Sequence, residues 1–195
     1  MLVLSGPSGV GKTTLARRLV GLQRWPDRLL TRPVPVTTRA PRPGETDGAD
    51  YLFVSKRRFL EMARRGELLE HSVFLGHHYG TPRGPVEDCL RQGVDVLLVL
   101  DGRGHRRVRR IYPEDVVSVF LLPPSLDELE RRLRERAGES RACLARRLAR
   151  ARREIDGADE YRHVLVNRGL EETLASLRAI LEAERHRRLT LRRDE

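Results

Sequence analysis

Four short runs of apolar residues, LVLS at 2–5, VDVLLVL at 94–100, VVSVFLL at 116–122 and HVLVN at 163–167, are separated by stretches whose apolar positions recur at helical spacing. A continuous apolar run of this length suits a strand covered on both faces, and its alternation with amphipathic stretches predicts βαβ units around a parallel sheet. The first run leads through a glycine-rich turn into a helix over about 13–20, with Leu15, Leu19 and Val20 on one side. Between about residues 33 and 83 the pattern breaks into short, turn-punctuated pieces around one helix at 57–65, as expected of an inserted lobe. After residue 122, Ser125 and Glu128 stand in the S-x-x-E spacing of a capping box at the start of a further helix. The stretch RERAGESRA at 134–142 ends one helical pattern and begins another, as a hinged lid would, and the arginine-rich end from Arg185 onward is expected to be a frayed, solvated helix terminus. The chain carries no internal repeat and no low-complexity linker.

A chain of 195 residues is of ordinary single-domain size and long enough to bury a core. Its net charge of +10 and sequence pI near 10.8 raise nucleic acid as a partner. The distribution of that charge argues otherwise. Lys12 and Lys56 are the only lysines, and much of the arginine lies beside acidic residues at helical spacing, in LERRLRERAGES and LARRLARARREI. Such stretches fit solvated helix faces and the binding of small anions, so no nucleic-acid partner is expected. Cys89 and Cys143 are the only cysteines and have no metal-ligand neighbours at useful spacing, which predicts buried thiols and neither a disulfide framework nor a zinc site. The first apolar run starts at Leu2, leaving no room ahead of it for a signal peptide, and no run approaches the roughly 18 residues of a membrane span. A cytoplasmic location with no membrane partner is the expectation.

The turn after the first run, GPSGVGKTT, contains the full G-x-x-x-x-G-K-[ST] pattern, placed after a strand and before a helix as its mechanism requires. Gly6, Pro7, Ser8, Gly9, Val10, Gly11, Lys12, Thr13 and Thr14 are therefore candidate ATP-binding residues. Glycines allow backbone N–H groups to close around phosphate oxygens, Lys12 reaches the β- and γ-phosphates, Thr13 offers a hydroxyl to Mg²⁺, and the helix N-terminus adds partial positive charge. The pattern alone specifies a nucleoside triphosphate; phosphoryl transfer needs a second pocket for the acceptor.

A candidate for that pocket is TTRAPRPGETDGADY, residues 37–51, where Arg39 and Arg42 are held in a segment stiffened by prolines. Two guanidinium forks presented in a set geometry suit a phosphate. These residues resemble the guanylate kinases, and the resemblance runs over nearly the whole chain, through GPSGVGKTT, VTTRAPRPGETDGADYLFVS, FLEMARRGELLEHS, YGTPRGPVEDCL, VDVLLVL, LLPPSLDELERRLRER and EYRHVLVN in that order. The resemblance implies an α/β P-loop kinase with a parallel-sheet core at 1–32, 84–125 and 156–195, a GMP-binding lobe at 33–83 and a helical lid at 126–155. It implies transfer of the ATP γ-phosphoryl group to GMP, and to dGMP, with Mg²⁺ as cofactor, by a monomer or homodimer. Arg39, Arg42, Tyr51 and Tyr79 then cradle the GMP phosphate. Glu70 and Thr81 read the base, a carboxylate being able to accept from guanine N1–H and N2–H₂ together, whereas adenine offers a bare N1 acceptor. From spacing alone, Glu67 and Glu70 could equally be exposed charges at the end of a helical pattern. The resemblance further implies Arg132, Arg136 and Arg147 as catalytic lid and donor-side arginines alongside Lys12, with Arg131, Arg134 and Arg146 left on solvated faces, and Asn167 on the adenine side.

Several positions depart from the family pattern. Pro35 replaces a small hydroxyl residue before TTR, His78 the first of two adjacent tyrosines, and Arg168 an acidic residue beside Asn167. At the end of the 94–100 run the family carries two carboxylates, two residues apart; this chain has Val99 and Asp101, which strand alternation would place on one face near the metal and the acceptor. Asp101 is accordingly expected to serve both GMP and, with Thr13, the Mg²⁺. The GRG that follows resembles the ribose 1,5-bisphosphate phosphokinases, so such a kinase, or a non-catalytic guanylate-kinase-like binding module, stands as the alternative.

Overall fold

The computed structural model of the chain describes residues 1–21, 30–74, 76–135 and 141–191. In chain order these form β1 (Leu2–Ser5), α1 (Lys12–Gly21), β2 (Leu30–Thr31), β3 (Val36–Thr37), β4 (Leu52–Phe53) and α2 (Lys56–Arg64). Next come β5 (Leu68–Phe74), β6 (His77–Pro82), α3 (Arg83–Arg91), β7 (Asp95–Val99) and α4 (Gly102–Ile111). The last elements are β8 (Val117–Leu122), α5 (Leu126–Glu135), α6 (Arg141–Asp156), a 3₁₀ turn at Ala158–Glu160, β9 (His163–Val166) and α7 (Leu170–Leu191).

The chain divides into two compact units, one built from residues 1 and 23–116, the other from 2–22 and 117–195. In the second, β1, β8 and β9 run parallel, with Leu2 opposite Val117 and Val119 opposite His163. All four residues of β1 are buried, which is what its uninterrupted apolar sequence demands of a strand covered on both faces. Helix α1 turns Leu15, Ala16 and Leu19 inward, and α5 packs on α6 through Leu129, Leu133, Leu144, Leu148 and Ala151. The first unit contains the parallel pair β2–β7 and a four-stranded sheet in the order β4-β3-β6-β5. Within that sheet β6 is antiparallel to both neighbours, and Val36, Phe59, Met62 and Leu68 form the core between the strands and α2.

Helix boundaries follow local capping. Helix α2 starts one residue earlier than its periodicity predicts because Ser55 caps it, its side chain accepting from Arg58 N at 3.2 Å. At α5, Ser125 Oγ accepts from Glu128 N at 3.1 Å, as the capping box requires. The Glu128 carboxylate does not complete the box; it holds Arg131 and Arg132 instead. At the arginine-rich end α7 runs as helix through Leu191, and the residues after it lie outside the described residues. Cys89 and Cys143 are half-buried, not buried. Among the described residues no helix is long and apolar enough to cross a membrane.

Candidate active site

The loop between β1 and α1 is shaped by glycines, Gly6, Gly9 and Gly11, whose positive φ would strain any other residue. Gly6 has φ +140°, and a Cβ there would lie 2.5 Å from the Leu121 carbonyl oxygen; Gly11 has φ +101°, and its Cβ would lie 2.8 Å from Asn167 Nδ2. Helix α1 begins at Lys12, so its unpaired N–H groups and the positive end of its dipole open onto the loop. The Lys12 ammonium arches over the loop, donating to Gly6 O at 2.6 Å and Pro7 O at 2.9 Å. Thr13 and Thr14 are exposed in the first turn; Ser8 and Gly9 are half-buried, and the side chains of Pro7 and Val10 are buried beneath. Asn167 holds the loop from behind: Nδ2 donates to Val10 O at 2.7 Å, while Oδ1 accepts from Thr173 Oγ1 at 2.9 Å. Both residues of this relay are buried, so Asn167 reaches the phosphate loop through its backbone.

The arginines of α5 and α6 fall into distinct classes. Arg131 and Arg134 are exposed, pairing with Glu128 and Glu130, and Arg146 is exposed on α6. Arg132 is half-buried and donates through Nε to Glu128 Oε1 at 2.7 Å, which orients its guanidinium along the helix. With two arginines on it, the Glu128 carboxylate is held at about 2, below the usual range. Arg147 is half-buried on α6, while Arg136 lies outside the described residues.

In the other unit, threonine hydroxyls lock the start of the 37–51 segment against β6. Thr37 Oγ1 donates to His78 O at 3.0 Å, and Thr38 Oγ1 accepts from His78 N at 2.9 Å. Thr37 Oγ1 also accepts from Arg39 N, so the ladder fixes where the first arginine leaves the sheet. Its guanidinium lies 5.2 Å from the Tyr51 ring centroid and 5.7 Å from that of Phe53, and it is paired end-on with Glu45. Burial would lower the Arg39 pKa, but Glu45 and Tyr79 outweigh it and the group is pushed up. Tyr51 and Tyr79 meet edge-on with centroids 6.2 Å apart. Arg42 is exposed at the far side of the same turn. Arg39, Tyr51 and Tyr79 are therefore brought together, with Arg42 on the adjoining backbone.

The residues expected to read the base form a second cluster in this unit. Glu70 lies on β5 and is 5% exposed, and Thr81 Oγ1 on β6 donates to its Oε1 at 2.7 Å. Burial, followed by the charge of Asp101, raises the Glu70 pKa to about 7, against the opposing effects of Thr81 and Arg107. The reading of Glu70 as an exposed charge at a helix end is thus wrong; its neighbour Glu67, paired with Arg58, is the surface residue. Sequence reasoning missed Gly104, where a Cβ would lie 2.7 Å from Glu70 Oε2, and Arg107, whose Nε donates to Leu69 O at 3.0 Å. Asp101 also differs from expectation. Strand β7 ends at Val99, and Asp101 is the N-cap of α4, its Oδ1 accepting from Gly104 N at 3.0 Å.

Among the described residues no group of three or more His, Cys, Asp or Glu side chains could hold a metal ion. Mg²⁺ keeps several waters and binds through substrate phosphates with one or two protein oxygens, so its binding does not depend on such a group. The hydroxyl of Thr13 is exposed in the first turn of α1, and Asp101 carries a carboxylate at the N-cap of α4.

The guanylate kinase family model matches residues 1–184. A guanylate kinase of Paramagnetospirillum magneticum is 48% identical over 188 residues, which covers 96% of this chain and 86% of that protein. The crystal structure of guanylate kinase from Anaplasma phagocytophilum superposes with a TM-score of 0.78 at 39% identity, covering 94% of this chain and 85% of that one. A gluconokinase from Sinorhizobium meliloti, at 17% identity and a TM-score of 0.50 over 97% of this chain and 95% of its own, shares the fold alone.

Proposed function

The chain belongs to the guanylate kinase family, and from that membership we infer that it transfers the γ-phosphoryl group of ATP to GMP, giving ADP and GDP. The observation that carries the acceptor assignment is Glu70, a nearly buried carboxyl bonded to Thr81 on one oxygen and fitted against Gly104 by the other. Burying a carboxyl is costly, and guanine repays it with N1–H and N2–H₂ donors that a sugar bisphosphate lacks. The GRG at 102–104 resembles the ribose 1,5-bisphosphate phosphokinases, but the family match over residues 1–184 favours neither that kinase nor the inert module.

In this reading a GMP phosphate oxygen attacks the γ-phosphorus, a new O–P bond forms as the bridge to the β-phosphate breaks, and the electron pair leaves on ADP. The nucleophile is already anionic, so no side chain need act as a strong base; positioning and charge neutralisation carry the rate. The loop from Gly6 to Thr14, supported from behind by Asn167, holds the ATP phosphates. Lys12 leaves its carbonyl partners for the β- and γ-oxygens, and Arg132, Arg136 and Arg147 neutralise charge on the transferring group. Arg39, Arg42, Tyr51 and Tyr79 take the GMP phosphate, and Glu70, Thr81 and Asp101 take the base. Thr13 and Asp101 would hold Mg²⁺, which when bound draws off charge from the β- and γ-oxygens. The segments 33–83 and 126–155 serve as GMP lobe and lid around the remaining core. The reading extends to dGMP as acceptor, to a monomer or homodimer, and to the cytoplasm.

The test is a coupled assay of purified protein with ATP and Mg²⁺ against GMP, dGMP, AMP, UMP and ribose 1,5-bisphosphate. Turnover is expected with GMP and dGMP only; turnover with the sugar bisphosphate and none with GMP overturns the assignment. In the same assay Val99→Asp, which restores the family's second carboxylate, is expected to lower the Mg²⁺ concentration giving half-maximal rate.

A further inference from the structure

Glu45 makes more bonds in the phosphate segment than any role assigned to that segment requires. Its carboxylate meets Arg39 end-on, Oε2 accepting from Nη1 at 2.8 Å and Oε1 from Nη2 at 2.9 Å. Oε2 also accepts from the backbone N–H of Arg42 at 2.8 Å, and Glu45 N donates back to Arg42 O at 3.0 Å, closing the A-P-R-P-G-E turn on itself. Both side chains of the pair are largely shielded from water, at 11% and 14% exposure.

A guanidinium has five N–H donors arranged along its edges. Nη1 gives one to Glu45 and, at 2.7 Å, one to Ala40 O; Nη2 gives one to Glu45. The side edge that remains, Nε–H with the outer N–H of Nη2, is a second fork of the same shape. Tyr79, which with Glu45 raises the Arg39 pKa against burial, belongs to the same cradle. We propose that Glu45 is a positioning residue for the acceptor phosphate: it clamps the end of Arg39 so that the side edge faces the ligand, and it ties the Arg42 backbone into the same turn. The proposal rests on the assignment of Arg39 and Arg42 to the GMP phosphate. It excludes the opposite role, in which Glu45 occupies Arg39 as a rival anion that GMP must displace.

The two roles predict opposite signs. GMP affinity is measured by calorimetry without ATP for the parent, Glu45→Gln, Arg39→Ala and the double variant, with guanosine as a competitor that lacks the phosphate. Glu45→Gln is expected to weaken GMP roughly tenfold or more, in the range for losing a charge-assisted bond, and to leave guanosine and the ATP KM within about twofold. In the Arg39→Ala background, Glu45→Gln is expected to cost clearly less than in the parent, since the side chain it orients is gone and only its tie to the Arg42 backbone remains. Tighter GMP binding by Glu45→Gln, equal loss of guanosine, or no change while Arg39→Ala weakens GMP overturns the proposal. An Arg39→Ala protein that binds GMP as the parent does overturns the phosphate assignment itself, and this role with it.

Discussion

At the scale of single residues the base cluster makes the sharpest predictions, because Glu70 must be ionised to accept from guanine and burial raises its pKa to about 7. Below that pH the free protein holds the carboxyl protonated, so GMP affinity is expected to fall toward roughly tenfold per unit as pH drops, while above about pH 8 it is flat. The break near 7 should be absent from Glu70→Gln, which separates it from titration of the GMP phosphate. The stability linkage has its own sign. A carboxyl whose pKa is raised by folding contributes stability that is full below its ordinary value of 4.5 and lost as pH climbs through about 7. Glu70→Gln, which cannot ionise, is therefore expected to melt higher than the parent above pH 7, with the advantage vanishing in acid; thermal melts across pH check this. Gly104→Ala tests the packing of the same carboxyl. Helix propensity would favour alanine by up to ~1 kcal/mol, yet the Cβ would lie 2.7 Å from Glu70 Oε2. Displacement of the carboxyl should dominate, raising the GMP KM roughly tenfold, in line with the ~1–3 kcal/mol of overpacking, and leaving the ATP KM unmoved.

At the scale of elements, what the sequence revealed and what it concealed divide by distance along the chain. The β1–loop–α1 unit was legible because the motif that defines it lies within a few neighbouring residues, and α2 was placed to within a residue by its periodicity and the start of α5 by its capping box. Strand β5 was not, because LLEHSVF follows directly on a helix and a short apolar run does not distinguish strand from helix end. The burial of Glu70 was equally hidden, for it depends on β6 supplying Thr81 and α4 supplying a glycine. Asp101 misled because strand alternation was carried past Val99, where a carboxylate facing an open helix N-terminus becomes a cap instead. Glu128 misled in a related way, two arginines on the next turn competing successfully for its oxygens. The departure at His78 resolves into packing: its backbone is bonded to Thr38 and its ring lies 5.1 Å from that of buried Phe59. Thr173 had no signature at all, yet it supports the phosphate loop through Asn167. Thr173→Val leaves Asn167 Oδ1 buried without that donor, a loss of ~1–3 kcal/mol, and is expected to raise the ATP KM roughly fivefold or more without moving that for GMP. Thr173→Ser should restore it, and steady-state kinetics decide.

At the scale of the whole molecule, the proposed reading gives the two compact units different halves of the chemistry, the phosphate loop with Asn167 and Thr173 in one, the arginine turn with Glu70 and Thr81 in the other. Hydrogen exchange should report them separately. GMP alone is expected to slow exchange chiefly across β3–β6 and the start of α4, and a non-hydrolysable ATP analogue chiefly across 6–13 and 163–173. Protection of the arginine turn by the ATP analogue alone would contradict the division. The composition of the surface has a further use. With arginine supplying nearly all the positive charge, the chain has two side-chain amines, Lys12 arched over the phosphate loop and Lys56 exposed at the start of α2. An acylating reagent, which modifies primary amines and passes over guanidinium groups, therefore meets, apart from the α-amine, one amine inside the nucleotide loop and one in open solvent. The ratio of the two modified peptides in a mass spectrum becomes a built-in gauge of loop occupancy, Lys56 serving as the reference against which nucleotide shielding of Lys12 is counted.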